Sequence, residues 1–243
     1  MTSPETVSTL QVGDLTVEVV RKDIKNVHLS VYPPSGRVRI AAPRRTRLDS
    51  LRVFTVSKLP WIRAQQAKIQ GQARESPRDY VERESHYLWG MRYLMAVEHH
   101  DGAPSLELGP KILTLKVRPG TEAADREAVV HRWYRDQIRD AVPHLLRRWQ
   151  PILEVEARKI YVRRMKTKWG SCNPDAGNIR LNTELAKKPP PCLEYILVHE
   201  LVHLIEPTHN ARFVGIMDRV LPQWRHYRRR LNELPVRRED WTY

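Results

Sequence analysis

A chain of 243 residues with 41 % hydrophobic residues has room for one large domain or two small ones, and it is no disordered polymer. Its two cysteines, Cys172 and Cys192, form no CxxC pair, which argues against a thiolate zinc site and a disulfide framework alike. The formal net charge of +14 predicts attraction to polyanions, nucleic acid first among them, or simply a solvated basic surface.

The opening residues MTSPETVSTLQVGDLTV have neither a basic n-region nor an apolar h-region, and no apolar run approaches the roughly 18 residues of a membrane span. The expectation is a soluble protein of the reducing cytoplasm with no membrane partner. LTVEVVRK (15–22) and NVHLSVYP (26–33) alternate as half-buried strands do, PPSG (33–36) signals a turn, and RVRIA (37–41) returns. A helical stretch carrying Leu48, Leu51 and Phe54 follows, and Pro60 opens a second helix, PWIRAQQAKIQ. Residues 71–79 read as a linker.

HYLWGMRYLMAVEHH (86–100) is a hairpin or a long strand, with Gly90 as its turn or bulge, and KILTLKVRPG (111–120) alternates again. From Thr121 to Gln150 the period becomes helical, with Val130, Tyr134, Ile138 and Val142 stacked and Pro143 expected to kink or split the helix. KIYVRR (159–164) and NIRLN (178–182) read as strands around MKTKWGSCNPDAG, and the rest is helical to about residue 234. No internal repeat is visible. These features predict an α+β fold, with a β-rich part over residues 1–120 and a helix-rich part with a small sheet over 121–243.

The chemistry concentrates in HELVHLIEPTH (199–209). Prolines 189–191 mark a helix start, and CLEYILVHELVHLI continues as a helix apolar on more than one face. On that helix His199 and His203 are four apart and share a face, so both imidazoles can grip one ion. Glu200 lies about 100° round the helix and can reach a water without being a ligand. Pro207 forces Glu206 out of the α region, which lets the chain return His209 to the same ion. THNARFVGIMDRVLP starts the next helix, with Thr208 as its expected cap and Phe213, Ile216, Met217 and Val220 as its buried stripe.

The competing reading is a buried helix with ordinary histidines. Two imidazoles and a carboxylate on such a helix must all be satisfied, and a shared metal with its water does that at once. Three histidines leave a fourth zinc position open, as catalytic sites do. His131, His144 and His226 lie in basic helices and read as surface residues; His99 and His100 face opposite ways on a strand. The HExxHxxGxxH protease pattern is matched in its histidines only, because Glu206 stands where that pattern has glycine.

With RMKTKWGSC (164–172), GNIRLNTEL (177–185) and YILVHELVHLIEPTHNARF (195–213) in this order, the chain resembles the YgjP-like metallopeptidase family, related to the SprT-like zinc proteases, from about residue 15 to 235. VHLSVYPPSGRVRIAAP with the later WI resembles the front half of that family. The resemblance implies a zincin-like core holding one zinc ion per chain on His199, His203 and His209, with Glu200 as general base. It also makes WGSC and NIRLN neighbours of the site, so Trp169, Gly170, Ser171 and Asn182 are candidate substrate-binding residues. For Trp169, core packing is the simpler role. Cys172 reads as a small buried residue.

The expected function is hydrolysis of peptide bonds in a protein or peptide substrate by a metal-activated water, with nucleic acid as a further partner through the basic surface. Tyr195, His226 and Tyr227 are candidates for stabilising the oxyanion. The alternative is a nucleoside triphosphate (phosphoanhydride) hydrolase on the same three histidines, served by the many arginines, although no glycine-rich phosphate loop is present. A non-enzymatic nucleic-acid binder with structural zinc would normally close the fourth position with a protein ligand.

Overall fold

The computed structural model describes residues 6–32, 35–71, 78–165 and 168–234. They fall into two compact units, residues 6–71 and residues 78–234. The first holds β1 (Thr6–Val12), β2 (Leu15–Lys22), β3 (His28–Tyr32), β4 (Arg37–Pro43), α1 (Leu48–Ser57) and α2 (Leu59–Gly71). Its sheet runs β1-β2-β4-β3, with β2 parallel to β4 and the outer pairs antiparallel. Val17, Val19, Val38 and Ile40 alternate inward and close a small core with Leu51 of α1 and Ile62 of α2.

The second unit begins with β5 (Ser85–Leu88), β6 (Met91–His99), β7 (Ser105–Leu108) and β8 (Ile112–Val117). Its first sheet runs β5-β6-β8-β7, again with the central pair parallel and the outer pairs antiparallel. The topology of the first unit is thus repeated, although no repeat is visible in the residues. In both copies a two-residue turn joins the first two strands, Gly13–Asp14 in one and Trp89–Gly90 in the other. Of the two forms expected around Gly90, the hairpin is the one present: Trp89 and Gly90 both have positive φ (50° and 82°), the twist a tight hairpin needs.

α3 (Ala123–Leu153) follows, then β9 (Lys159–Arg163), β10 (Gly170–Asn173) and β11 (Asn178–Asn182), a 3-10 helix (Thr183–Lys187), α4 (Pro190–Val202), α5 (Ala211–Val220) and α6 (Trp224–Glu233). The third sheet runs β10-β11-β9, with β11 parallel to β9 and antiparallel to β10. The result is a mixed α+β protein of three small sheets. The sheet β5–β8, grouped by sequence with the residues before 120, shares one core with α3 and α4. No helix among the described residues is long and apolar enough to cross a membrane.

Of the two effects expected of Pro143, a kink or a split, the split does not occur: α3 runs unbroken through it and through Pro151; Pro143 is exposed, so the carbonyl it leaves without a partner lies at the solvent side. The linker expected at 71–79 lies mostly outside the described residues, but its end is anchored, because Arg126 donates to the Asp79 carbonyl at 3.1 Å. The first half of the PPSG turn is likewise outside them, while Gly36 supplies positive φ (78°) in the second half.

The β5–β6 turn braces the approach to α4. Trp89 N–H donates to the Ala186 carbonyl (2.7 Å) and Gly90 N–H to that of Lys187 (3.3 Å). Beneath it Lys187 pairs with Glu184 at 2.7 Å, both side chains under one-tenth exposed. Nearby His86 is 1 % exposed, 3.0 Å from a Glu84 carboxylate that also accepts from the Asp79 and Tyr80 N–H groups. Burial, with the Arg78 and Lys187 charges, pushes the His86 pKa down to about 3, so it is neutral when folded. The unfolded chain takes up a proton there below the ordinary value of 6.5 and the folded chain does not. Stability is therefore complete above that value and falls as pH drops towards about 3, by up to roughly 1.4 kcal/mol per pH unit from this residue. Denaturant melts between these limits should show that slope, and His86→Gln should flatten it by one proton.

Candidate metal centre

α4 starts cleanly because Pro190 and Pro191 occupy its first turn, where no N–H is needed, with Pro189 as N-cap. Its residues from Cys192 to Val202 are buried apart from Glu194 and His199. The helix ends at Val202 and leaves His203 at the C-cap, still in helical geometry. The chain then turns through Glu206, whose carboxylate accepts from the Thr208 N–H (3.2 Å) and hydroxyl (2.9 Å). α5 is capped by Asn210, whose side chain accepts from Phe213 N–H at 3.1 Å, and not by Thr208 as the sequence suggested. Thr208 is occupied one step earlier, in closing the turn on Glu206.

This path brings His199, His203 and His209 together, with one ring nitrogen from each within 4.8 Å of the others. All three rings pack on Phe213 of α5, at centroid distances of 4.7 to 4.9 Å. Phe213 is 2 % exposed, so the platform is fixed by the core. The sequence marked it only as part of a buried stripe; its place four residues after His209 was the available signal for a role at the site.

The nitrogens are oriented for a cation. His203 Nδ1 lies 3.1 Å from the Glu206 carbonyl, which can only accept, so Nδ1 carries the proton and Nε2 presents a lone pair. Nε2 of His199 and Nε2 of His209 are 2.9 Å apart. Two lone pairs at that distance repel unless a proton or a cation lies between them. Burial and the neighbouring His203 and His209 push His199 down to about 3, and burial lowers His209 as well, so a second proton is disfavoured on both; the one N–H of a neutral ring, set on Nε2, would hold the pair together in a cation's place. His199 Nδ1 is buried without a hydrogen-bond partner. Converging imidazoles are what a divalent cation needs, and these residues fit one.

Glu200 points to a different wall. It is 5 % exposed, has no ion pair among the described residues, and burial lifts its pKa to about 8 against the opposing influence of Lys168. Gly170, the first residue of β10, lies directly against it: a Cβ there would stand 2.6 Å from Glu200 Oε1 and 2.9 Å from Ile196 Cγ2. Cys172, on the same face of β10, feels burial and the Glu200 charge, which push its thiol up to about 11 and keep it un-ionised. Ser171, between them, is half-buried.

Asn182, a candidate substrate contact, is hydrogen-bonded to the backbone. Its amide nitrogen donates to the Met165 (2.8 Å) and Lys168 (2.9 Å) carbonyls, and its oxygen accepts from the Met165 and Glu184 N–H groups. It is 5 % exposed and shapes the segment leading to Trp169 and Gly170. Trp169 is half-buried against the core, with Lys188 Nζ 5.9 Å from its ring centre. Its carbonyl accepts from Asn182 N–H at 2.9 Å.

Of the three candidates for an oxyanion donor, only Tyr195 adjoins the cluster. Its ring stands edge-on to His199 (5.9 Å) and stacks on Trp224 of α6 (6.3 Å), and Trp224 donates to Asp218 at 2.7 Å. Burial raises the Tyr195 phenol to about 12. Tyr227 donates to Gln223 within α6, and His226 is exposed. Sequence reasoning did not single out Arg228. It stands one turn beyond Trp224, and its positive charge is felt at His199, His209 and Tyr195.

Comparison with known proteins follows this geometry. Two solved structures are similar over part of the chain. The crystal structure of the metallopeptidase zymogen of Pyrococcus abyssi abylysin shares 25 % identity at a TM-score of 0.35, over 37 % of this chain and 90 % of that one. That of Methanocaldococcus jannaschii jannalysin, also a metallopeptidase zymogen, shares 22 % at 0.32, over 39 % and 87 %. No curated protein matches. Residues 25–234 match the YgjP-like, metallopeptidase domain, which is most of the chain. The chain belongs to the YgjP-like metallopeptidase family.

Proposed function

We propose that this protein is a zinc-dependent peptidase with a zincin-like core, in which His199, His203 and His209 hold the ion and Glu200 is the general base. The observation that carries the reading is the convergence of three imidazoles beside a buried carboxyl that makes no ion pair among the described residues. Three nitrogen ligands with a vacant fourth direction suit zinc best among the common divalent ions. A cation in that position supplies Lewis acidity towards a water molecule and a peptide carbonyl.

The chain's own residues supply the rest. A carboxyl lifted to about 8 by burial is basic enough to take a proton from an attacking water, and the charge of a nearby cation favours its ionised form. The same carboxyl then returns that proton to the leaving amine. The substrate lies along β10, an edge strand among the described residues, whose first residue touches Glu200. An extended peptide can pair with the free edge and pass its scissile bond across the mouth of the site. Trp169 and Ser171 flank that path. Tyr195 and Arg228 stand on the α6 side, where charge on the carbonyl oxygen would develop.

Zinc-loaded wild type incubated with a basic, unstructured protein substrate tests this directly. Glu200→Gln should keep its metal and lose about 10²–10⁴-fold in kcat/KM, because it retains the shape and removes the base. His203→Ala should lose metal as well, measured by elemental analysis after dialysis. Full activity in Glu200→Gln would overturn the mechanism. Phosphate release from nucleoside triphosphates without any peptide cleavage would replace it by the phosphoanhydride reading. Adding single-stranded DNA measures the nucleic-acid partner, which rests on the charge of +14 alone.

A second variant tests the wall of the site. Gly170→Ala places a methyl group where Glu200 and Ile196 already are. It should bind metal as wild type does and lose about 10²-fold in kcat, the scale of loss for a displacement of about 1 Å. Normal kcat in this variant would show that Glu200 does not need the β10 wall.

A further inference from the structure

A cleft of about 340 Å³ lies against the first half of α3, and none of its lining residues belongs to the imidazole cluster. Ala124, Ala128, His131 and Arg135 line it from one stripe of the helix, spaced four, three and four apart. The two alanines leave space at one end and Arg135 closes the other. Opposite stand Arg164, one residue past β9, and Thr183, one residue past β11. The cleft therefore sits at the carboxyl ends of the parallel pair β9 and β11.

Its chemistry is that of an anion site. The one carboxylate in the lining, Glu127, is engaged by His131 at 3.1 Å and by Arg164 at 3.4 Å. Arg135 is half-buried and makes no ion pair among the described residues. Thr183 is 2 % exposed, and its hydroxyl has no hydrogen-bond partner among the described residues. A buried hydroxyl left unpaired is costly, so its retention calls for a partner. The cleft also adjoins the first turns of a 31-residue helix, where the backbone dipoles favour negative charge.

We propose that this cleft binds a small tetrahedral oxyanion of the phosphate class, recognised by Arg135 and Thr183 with Arg164 and His131 beside them. The donors approach from three separate segments. A tetrahedral ion offers an oxygen in each direction, whereas a planar carboxylate is satisfied by a single arginine fork.

Binding can be measured on the full-length, metal-free chain by calorimetric titration with inorganic phosphate and by thermal melting. Potassium chloride at matched ionic strength serves as control. Wild type should bind saturably and gain Tm with phosphate but not with chloride. Arg135→Ala should weaken binding by about tenfold or more, the usual loss of one charged hydrogen bond. Thr183→Val keeps the side-chain shape. It should also weaken binding, while its phosphate-free Tm stays equal to wild type or rises, because an unpaired hydroxyl has been removed. Repeating the titration with adenosine monophosphate separates the sources: tighter binding assigns the site to phosphate esters, equal or weaker binding to the free ion. No binding by wild type, equal stabilisation by chloride, or wild-type affinity in both variants would overturn the proposal. No metal takes part, so such a failure would leave the hydrolytic reading as it stands.

Discussion

Helix α4 is enclosed along almost its whole length, and its last turn is the part that carries His199 and Glu200. Water cannot satisfy polar groups placed there, so the surrounding chain must do it. His203 is served by the Glu206 carbonyl, and His199 faces His209. The break at Pro207, the Asn210 cap and the Phe213 platform all follow from bringing a third imidazole back to that one turn. Glu200 is left to β10, where only a glycine leaves it room.

Two kinds of buried charge stand close together in the chain and are treated in opposite ways. Lys187 and Glu184 neutralise each other at 2.7 Å, and the β5–β6 turn sits over the 3-10 helix that carries them. Breaking such a pair costs about 3–5 kcal/mol, since it leaves the other charge desolvated. Glu200, about as deeply buried, makes no ion pair among the described residues and rises to about 8. The first arrangement fixes the start of α4; the second leaves a desolvated carboxyl close to its end. Lys168 and Arg228 stand at the margin, near enough to be felt and outside the desolvated centre.

The clustering of the three imidazoles was legible because its signals are local: helical spacing of two histidines, a proline that ends the helix, and a third histidine just beyond. The half-buried strands were legible through period-two alternation, as in LTVEVVRK and KILTLKV. Elements defined by their partners were not. GSCN contains no β-branched residue and is a strand only through its pairing with β11, Cys172 opposite Ile179. SLEL is too short for a period to show, and Glu184 and Lys187 look like surface charges until they are seen to pair. Asn182 was linked to the site by motif, yet its role is to bond backbone groups 14 and 17 residues away in the chain. Pro143 does not split α3, because a proline on the exposed side of a long packed helix costs less than the packing returns.

Among the described residues β10 is an edge strand, and it is only four residues long. At about 3.3 Å per residue it can register a very short stretch of another chain. A stretch so short contributes few backbone hydrogen bonds, and it must arrive already extended. Helices and paired strands have their own backbone groups occupied and cannot add to it. The discriminating property of a substrate would then be local unfolding more than any residue at the cleavage point, so that the enzyme would sort proteins by their state and not by their sequence.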